Sequence, residues 1–322
     1  MTTAEPGTRR LPLNFFGIAF GTAGLAGTWT TAGQLLDAPV AVGEALWAVA
    51  GLAWGFITIE YLRRPGGLRA VARDLHHPVL GPFAALVPAV GSLLSAHLFQ
   101  WYPVASTIAV WTMLVLSATH GAWFVSSVLS QPRDTTAIHG GYLLPTVAAT
   151  LVASQSLATI GQRDVAIGLL AVGIMFWMLL ASLLVVRYST GPAVPPALFP
   201  TVAIFAAPPA VAGNAWWAIS EGRYSIVDTV FAALMIALLV PHLFLLPVYT
   251  RTPFVIGFWA TTFTVAASAT YAIRLLTTAT GGPLGSALSW LALLVATLVI
   301  GGIAVRSLGL IPRLGRRAAA RA

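Results

Sequence analysis

The chain has 322 residues and a formal net charge of +8, with 58% hydrophobic and 8% charged residues. An ordinary soluble domain carries roughly 25% charged residues, so this composition excludes a soluble globular fold and leaves no room for a soluble catalytic domain. All 17 basic residues are arginine, and the absence of cysteine removes disulfides and thiolate metal sites.

A helix needs about 20 apolar residues to cross the hydrocarbon of a bilayer, and stretches of that size follow one another from Leu13 to Arg306. Residues 1–12 read as a cytoplasmic N-terminal segment. The apolar stretch after Arg9 and Arg10 extends to Leu36, longer than the roughly 7–15 residues of a signal-peptide core, so it reads as a retained first span. Ten spans are expected, over 13–36, 41–62, 80–100, 103–129, 141–159, 165–187, 199–219, 225–248, 254–277 and 285–306. They form one transmembrane domain, 13–307, followed by a basic cytoplasmic tail, 308–322. The connections after odd spans are short, as from Gln100 to Pro103, so each odd span is expected to form an antiparallel hairpin with the even span that follows.

Helix breakers fall in the odd spans. Pro88, Pro145 and the pair Pro208 and Pro209 interrupt the third, fifth and seventh, and Gly17, Gly21, Gly24 and Gly27 punctuate the first. A backbone group freed by proline needs a partner, which lipid does not supply, so broken spans belong where protein or a wet cavity covers them. The odd spans are therefore expected to be the inner set. Pro241 and Pro247 bend the inner end of the eighth.

Arginine bias sets the orientation. With the N-terminus inside, Arg9, Arg10, Arg63, Arg64, Arg69, Arg73, Arg133, Arg187, Arg251, Arg306, Arg313, Arg316, Arg317 and Arg321 fall on or near the cytoplasmic side, and Arg163, Arg223 and Arg274 outside. Both termini are then cytoplasmic and the number of spans is even. The arginine-only basic set and the heavy use of alanine suggest a GC-rich bacterial coding sequence, hence a bacterial plasma membrane. The basic loop and tail read as contacts to lipid headgroups, and no nucleic-acid partner is expected. Trp101, Tyr102, Trp216 and Trp217 read as interfacial anchors.

Aligned on their breakers, the odd spans repeat a short core: FGTAG from Phe20, VPAVG from Val87, LPTVA from Leu144, APPAV from Ala207 and FTVAA from Phe263. Together with NFFGIAFG (Asn14 to Gly21), HPVLGPFAALVP (His77 to Pro88), GGYLLPTVA (Gly140 to Ala148), FAAPPAVAG (Phe205 to Gly213) and FWATTFTVA (Phe258 to Ala266), these segments carry a resemblance that spans nearly the whole chain. In their order and spacing the chain resembles the tellurite-resistance/dicarboxylate transporter family, which shares its fold with the plant slow anion channels and the bacterial TehA channel. The resemblance implies an all-α integral membrane protein of ten helices, arranged as five hairpins in a quasi-five-fold ring. It also implies odd helices that line a central anion pore, and a homotrimer with one pore per subunit.

The resemblance further places a pore-closing phenylalanine in the ninth span, just before a proline usual in the family, and Phe263 stands at the matching position. Thr264 stands where that proline is usual, which leaves the ninth-span kink and the aim of Phe263 open. By its residues alone Phe263 is one of 15 phenylalanines, with packing or lipid contact the plainer role, and the motif around it turns the reading toward the pore. Phe20 occupies the corresponding place in the first span, where a constriction and ordinary packing are both open. Val87, Leu144 and Ala207 complete an apolar ring at the same depth, with helix kinks expected at Gly21, Pro88, Pro145, Pro208, Pro209 and Thr264. Such a ring carries no charge, so an anion passing it meets only helix amides and partial dipoles.

The ionisable residues are peripheral. Arg274, near the outer end of the ninth span, either draws anions into the outer mouth, snorkels, or pairs with Asp228. His97 is the histidine of a presumed inner helix and the candidate for pH sensing. His120 and His242 read as buried polar packing, and the pair His76 and His77 as a helix-entry turn. Glu60 precedes Arg63 and Arg64 at ion-pair spacing. No spacing supports a metal site, a cofactor or an intramembrane enzyme. The expected function is transport of small anions through a Phe-gated pore. The alternative is a secondary carrier for C4-dicarboxylates, sulfite or tellurite-type oxyanions, with or without proton coupling.

Overall fold

A computed structural model describes residues 11–63 and 67–310. Arg9, Arg10, Arg64, Arg313, Arg316, Arg317 and Arg321, and most of both terminal segments, lie outside the described residues. Helix is the regular structure of all the rest: α1 (Phe16–Leu36), α2 (Val40–Leu62), α3 (Gly67–Leu75), α4 (Leu86–Leu98), α5 (Pro103–Ser130), α6 (Ala149–Thr159), α7 (Arg163–Thr190), α8 (Pro208–Ile219), α9 (Ile226–Arg251), α10 (Trp259–Leu275) and α11 (Gly282–Leu308). Helix α3 falls in the arginine-rich loop, where sequence reading expects no element.

Among the described residues, eight helical segments are long and apolar enough to cross a membrane. They divide sharply by burial. In Gly81–Leu98, Phe199–Ile219 and Ile256–Thr280 between 67% and 72% of the apolar window is buried, against 11% to 28% in α2, α5, α7, α9 and α11. The exposed set presents large apolar side chains such as Leu52, Phe56, Leu129 and Phe244, a surface that hydrocarbon accommodates and water would not. Two further helical stretches, Leu13–Leu36 and Gly140–Thr159, are also mostly buried.

Each buried helix packs against its successor in the chain: α1 on α2, α4 on α5, α6 on α7, α8 on α9 and α10 on α11. The buried helices also touch one another, α1 with α4, α4 with α6, α6 with α8, α8 with α10 and α10 with α1. Tryptophans of the outer helices tie the two sets together, because an indole N–H in an apolar setting needs an acceptor. Trp47 donates to Thr30 Oγ1 at 3.0 Å and Trp54 to the Val87 carbonyl at 2.9 Å.

The expected breaks take a specific form at the prolines. A 3₁₀ segment, Gly81–Ala85, leads into α4, so Pro88 lies in the first α turn; Phe199–Ala206 likewise leads into α8, whose first residues are Pro208 and Pro209. Pro145 lies in a π turn, Leu144–Ala148, that opens α6. Proline is tolerated at such entries because its missing N–H has no acceptor to lose there. Helix α1 is continuous through Gly21, and α10 is continuous through Thr264.

Gly21 serves close approach. A Cβ added there would lie 1.9 Å from Thr262 Oγ1, one added at Gly17 3.2 Å from Trp259 Cβ, and one at Gly24 2.9 Å from the Phe263 ring. This stripe at spacings of four and three lets α1 and α10 meet backbone to backbone, as membrane helices do when lipid supplies no hydrophobic drive to join them. Thr28 fastens the far end of the seam, its hydroxyl 3.1 Å from the Ala266 carbonyl and 2.9 Å from Thr270 Oγ1. Gly21→Ala is expected to lower the thermal unfolding midpoint in detergent, through overpacking of about 1–3 kcal/mol. Gly55→Ala, where nothing lies within 4 Å of the added carbon, should leave it unchanged or raised. Equal midpoints for the two variants would contradict a seam set by Gly21.

Candidate functional site

Two cavities lie among the buried helices. The lower one, at the N-terminal ends of α1 and α10, has a cavity volume of about 30 Å³ and is lined by Asn14, Phe20, Leu86, Leu144, Ala207 and Thr264 among others. The upper one, at the C-terminal ends of the same helices, has a cavity volume of about 410 Å³ and is lined by a more polar set that includes Gln34, His97, Gln155, Asn214 and Arg274. Phe263 and Val211 belong to both walls. The Phe263 ring therefore stands between the cavities, and Phe20 stacks on it from the lower side with centroids 3.7 Å apart and planes 14° from parallel.

Local structure explains why the ring sits there. Gly24 leaves the space that the edge of Phe263 occupies, and the continuous α1 and α10 hold the two phenylalanines at one level. Thr264 donates its hydroxyl to the Ala203 carbonyl at 3.1 Å. That acceptor lies in the 3₁₀ segment Phe199–Ala206, where peptide groups lack the regular α partner. Thr264 thus bonds to a neighbour's unwound backbone.

Four of the five residues expected at one depth, Phe20, Leu144, Ala207 and Phe263, line the lower cavity. Val87 does not, and Leu86 takes its place. The Val87 carbonyl accepts the Trp54 indole, and its side chain packs against the core. The physical reason is the 3₁₀ lead-in before α4, whose three residues per turn rotate the following side chains relative to a straight α-helix. Alignment on Pro88 is therefore one residue out of phase with the wall.

Around the upper cavity, Arg274 does not pair with Asp228. Its Nη1 donates to Asn214 Oδ1 at 2.8 Å, while Asp228 caps α9, accepting from the Ser225 N–H at 2.8 Å. His97 lines the cavity, lies 3.1 Å from Glu44 Oε2 through Nε2, and stacks on Trp47 at 4.5 Å. Glu60 and Arg63 form a 3.9 Å ion pair at spacing i,i+3. His242 is bonded to Tyr249 of its own helix at 3.0 Å, and His120 stacks on Trp123. His76 meets the edge of the same Trp123, and His77 Nδ1 accepts the N–H groups of Val79 and Leu80. Trp101 and Tyr102 are exposed, whereas Trp216 is half-buried and donates to Ser225 Oγ at 2.9 Å.

Sequence reading misses Asn214, Ser156, Glu44 and Leu86, and takes Gly24 as a helix breaker only. One signal was available for Asn214, which is one of two asparagines in the chain and stands in an apolar span where an amide side chain must find partners.

Residues 10–308 match the family model described as voltage-dependent anion channel. The tellurite resistance protein TehA homolog of Haemophilus influenzae is 26% identical over 269 residues, 80% of this chain and 79% of that protein. The S-type anion channels SLAH3 and SLAH2 of Arabidopsis thaliana are 24% and 25% identical over 82% of this chain, which spans about half of their length, 43% and 52%. The apolar helices and these relatives make the chain a multi-pass membrane protein. With nearly its whole length matched, the chain belongs to the voltage-dependent anion channel family.

Proposed function

We propose that the chain conducts small anions passively across the membrane through a pathway closed by Phe263 and Phe20. In this reading five hairpins of two helices each surround the pathway, and α1, α4, α6, α8 and α10 line it. The lower cavity opens to the cytoplasm with both termini, the upper cavity opens to the outside of a bacterial plasma membrane, and subunits assemble as a homotrimer. The observation that carries it is the aromatic ring shared by both cavity walls, Phe263, with Phe20 stacked beneath it.

Two apolar rings at van der Waals distance leave no layer of water between the cavities. An anion forced across without water faces a Born cost of tens of kcal/mol, and an apolar constriction of this kind blocks ions by dewetting. The ring stack itself contributes only about 0.5–1.5 kcal/mol beyond burial, so a rotation of Phe263 is a small energetic step. With the lining apolar at this level, selection rests on size and dehydration, which favours weakly hydrated monovalent anions.

The tellurite resistance named for the Haemophilus relative supports a second reading, a secondary carrier for oxyanions, C4-dicarboxylates included. Liposome flux separates the two: a channel gives flux that rises with gradient without moving protons, and a carrier gives saturating flux with a change of lumenal pH.

Phe263→Ala is expected to raise anion flux in proteoliposomes about tenfold, the effect of removing about 1.4 kcal/mol of barrier. A folded variant with unchanged or reduced flux would remove Phe263 from the pathway. Gly24→Ala should also raise flux, by less, because the added methyl displaces the Phe263 ring from its resting position. In a Phe263→Ala background the same substitution should add nothing, and additive effects in this double-mutant cycle would refute the coupling.

A further inference from the structure

The upper cavity carries one formal charge. Among the described residues in its wall, Arg274 is the charged side chain, and His97 at the rim faces Glu44. Arg274 belongs to a stripe of α10 in which Phe263, Ala267, Thr270 and Arg274, at spacings of four, three and four, all line this cavity. At about 1.5 Å of rise per residue the guanidinium-bearing turn lies about 16 Å beyond the Phe263 turn.

Asn214 fixes the orientation of the guanidinium. Its Oδ1 accepts from Arg274 Nη1 at 2.8 Å while its Nδ2 donates to the Ala267 carbonyl at 2.9 Å. With one end of the amide donating and the other accepting, the side chain has a single satisfactory orientation. A weaker contact of 3.4 Å joins Nη1 to the Asn214 carbonyl. Nε and Nη2 of Arg274 have no hydrogen-bond partner among the described residues, and no described carboxylate lies within ion-pair distance. Asp228 is committed to capping α9 and Glu44 faces His97. A second group in the same wall is also unsatisfied: the Ser156 hydroxyl of α6, 1% exposed, has no partner. A cation held without a counter-ion inside a membrane protein is costly, and an anion supplies what both groups lack.

We propose that Arg274, oriented by Asn214, forms an anion-binding site in the upper cavity that takes small planar oxyanions of the formate class. Nε–H and one Nη2–H point in parallel and present the fork that accepts two oxygens of a carboxylate at once. A spherical halide engages the same edge less well. The inference rests on the anion-pathway reading for its purpose, but binding is measurable without conduction.

The test is line broadening of [13C]formate by the purified full-length protein in detergent, with chloride as competitor. Wild type and Phe263→Ala should both broaden the formate line, with chloride competing only at higher concentration. Arg274→Lys keeps the charge and loses the fork, and should weaken formate binding about tenfold. Ser156→Ala should weaken it by less. Absence of broadening with wild-type protein, or Arg274→Lys binding formate as tightly as wild type, overturns the site. If Arg274→Lys elutes aggregated, the wild-type and Ser156→Ala titrations decide, and equal formate affinity of those two proteins counts against it. Arg274-dependent binding without flux in liposomes would sink the conducting pathway and keep the site; flux without such binding would do the reverse.

Discussion

In hydrocarbon no water is available to bond an open peptide group, so every departure from α-helix must find its partners inside the protein. That constraint bears on three of the buried stretches. The 3₁₀ and π turns at Gly81–Ala85, Leu144–Ala148 and Phe199–Ala206 all sit in buried stretches, and an unwound carbonyl, that of Ala203, is met by a neighbouring hydroxyl. The exposed helices α2, α5, α7 and α11 run without such turns. Helix α9 shows the limit of the rule: Pro241 and Pro247 lie inside it, facing outward, and the helix continues through both. Each costs an intrahelical bond, which membrane helices tolerate more readily than an open strand or loop.

The same economy of partners shapes the centre of the molecule. Helices in lipid gain nothing by hiding apolar surface from one another, so α1 and α10 adhere through small residues and short hydroxyls. Gly17, Gly21 and Gly24 bring the backbones together, and Thr28 bonds across the seam. The seam then acts on function through geometry. It sets Phe20 of one helix against Phe263 of the other and leaves the notch at Gly24 that receives the ring edge. Thr264, next to Phe263, ties α10 to the Phe199–Ala206 segment through the Ala203 carbonyl.

The two cavities differ in chemistry as well as size. The lower wall is almost wholly apolar, while the upper wall collects Gln34, Gln155, Ser156, Asn214 and Arg274. In the proposed pathway an anion keeps polar partners on one side of the phenylalanines and loses them at the rings. The arrangement separates attraction, which a guanidinium supplies at a distance, from closure, which an uncharged ring supplies at contact.

Much of this was legible in the residues. Composition dictates a membrane protein because solvation of a side chain is a local property, and proline marks the buried helices because a missing N–H is a local defect. The breakers at Pro88, Pro145, Pro208 and Pro209 therefore pointed to three of the inner helices before any contact was known. The close approach that Gly21 serves was not legible, because it depends on a helix more than two hundred residues away. Leu86 rather than Val87 faces the cavity because rotation accumulates through a 3₁₀ turn that no residue pattern announces. The stack of Phe20 on Phe263 and the bond from Asn214 to Arg274 join residues 243 and 60 positions apart. What a residue is soluble in, and whether its own backbone can stay helical, the sequence by itself determined; which face it shows and which distant group it meets, only the tertiary structure decided, because those depend on the summed rotation and packing of every helix between them.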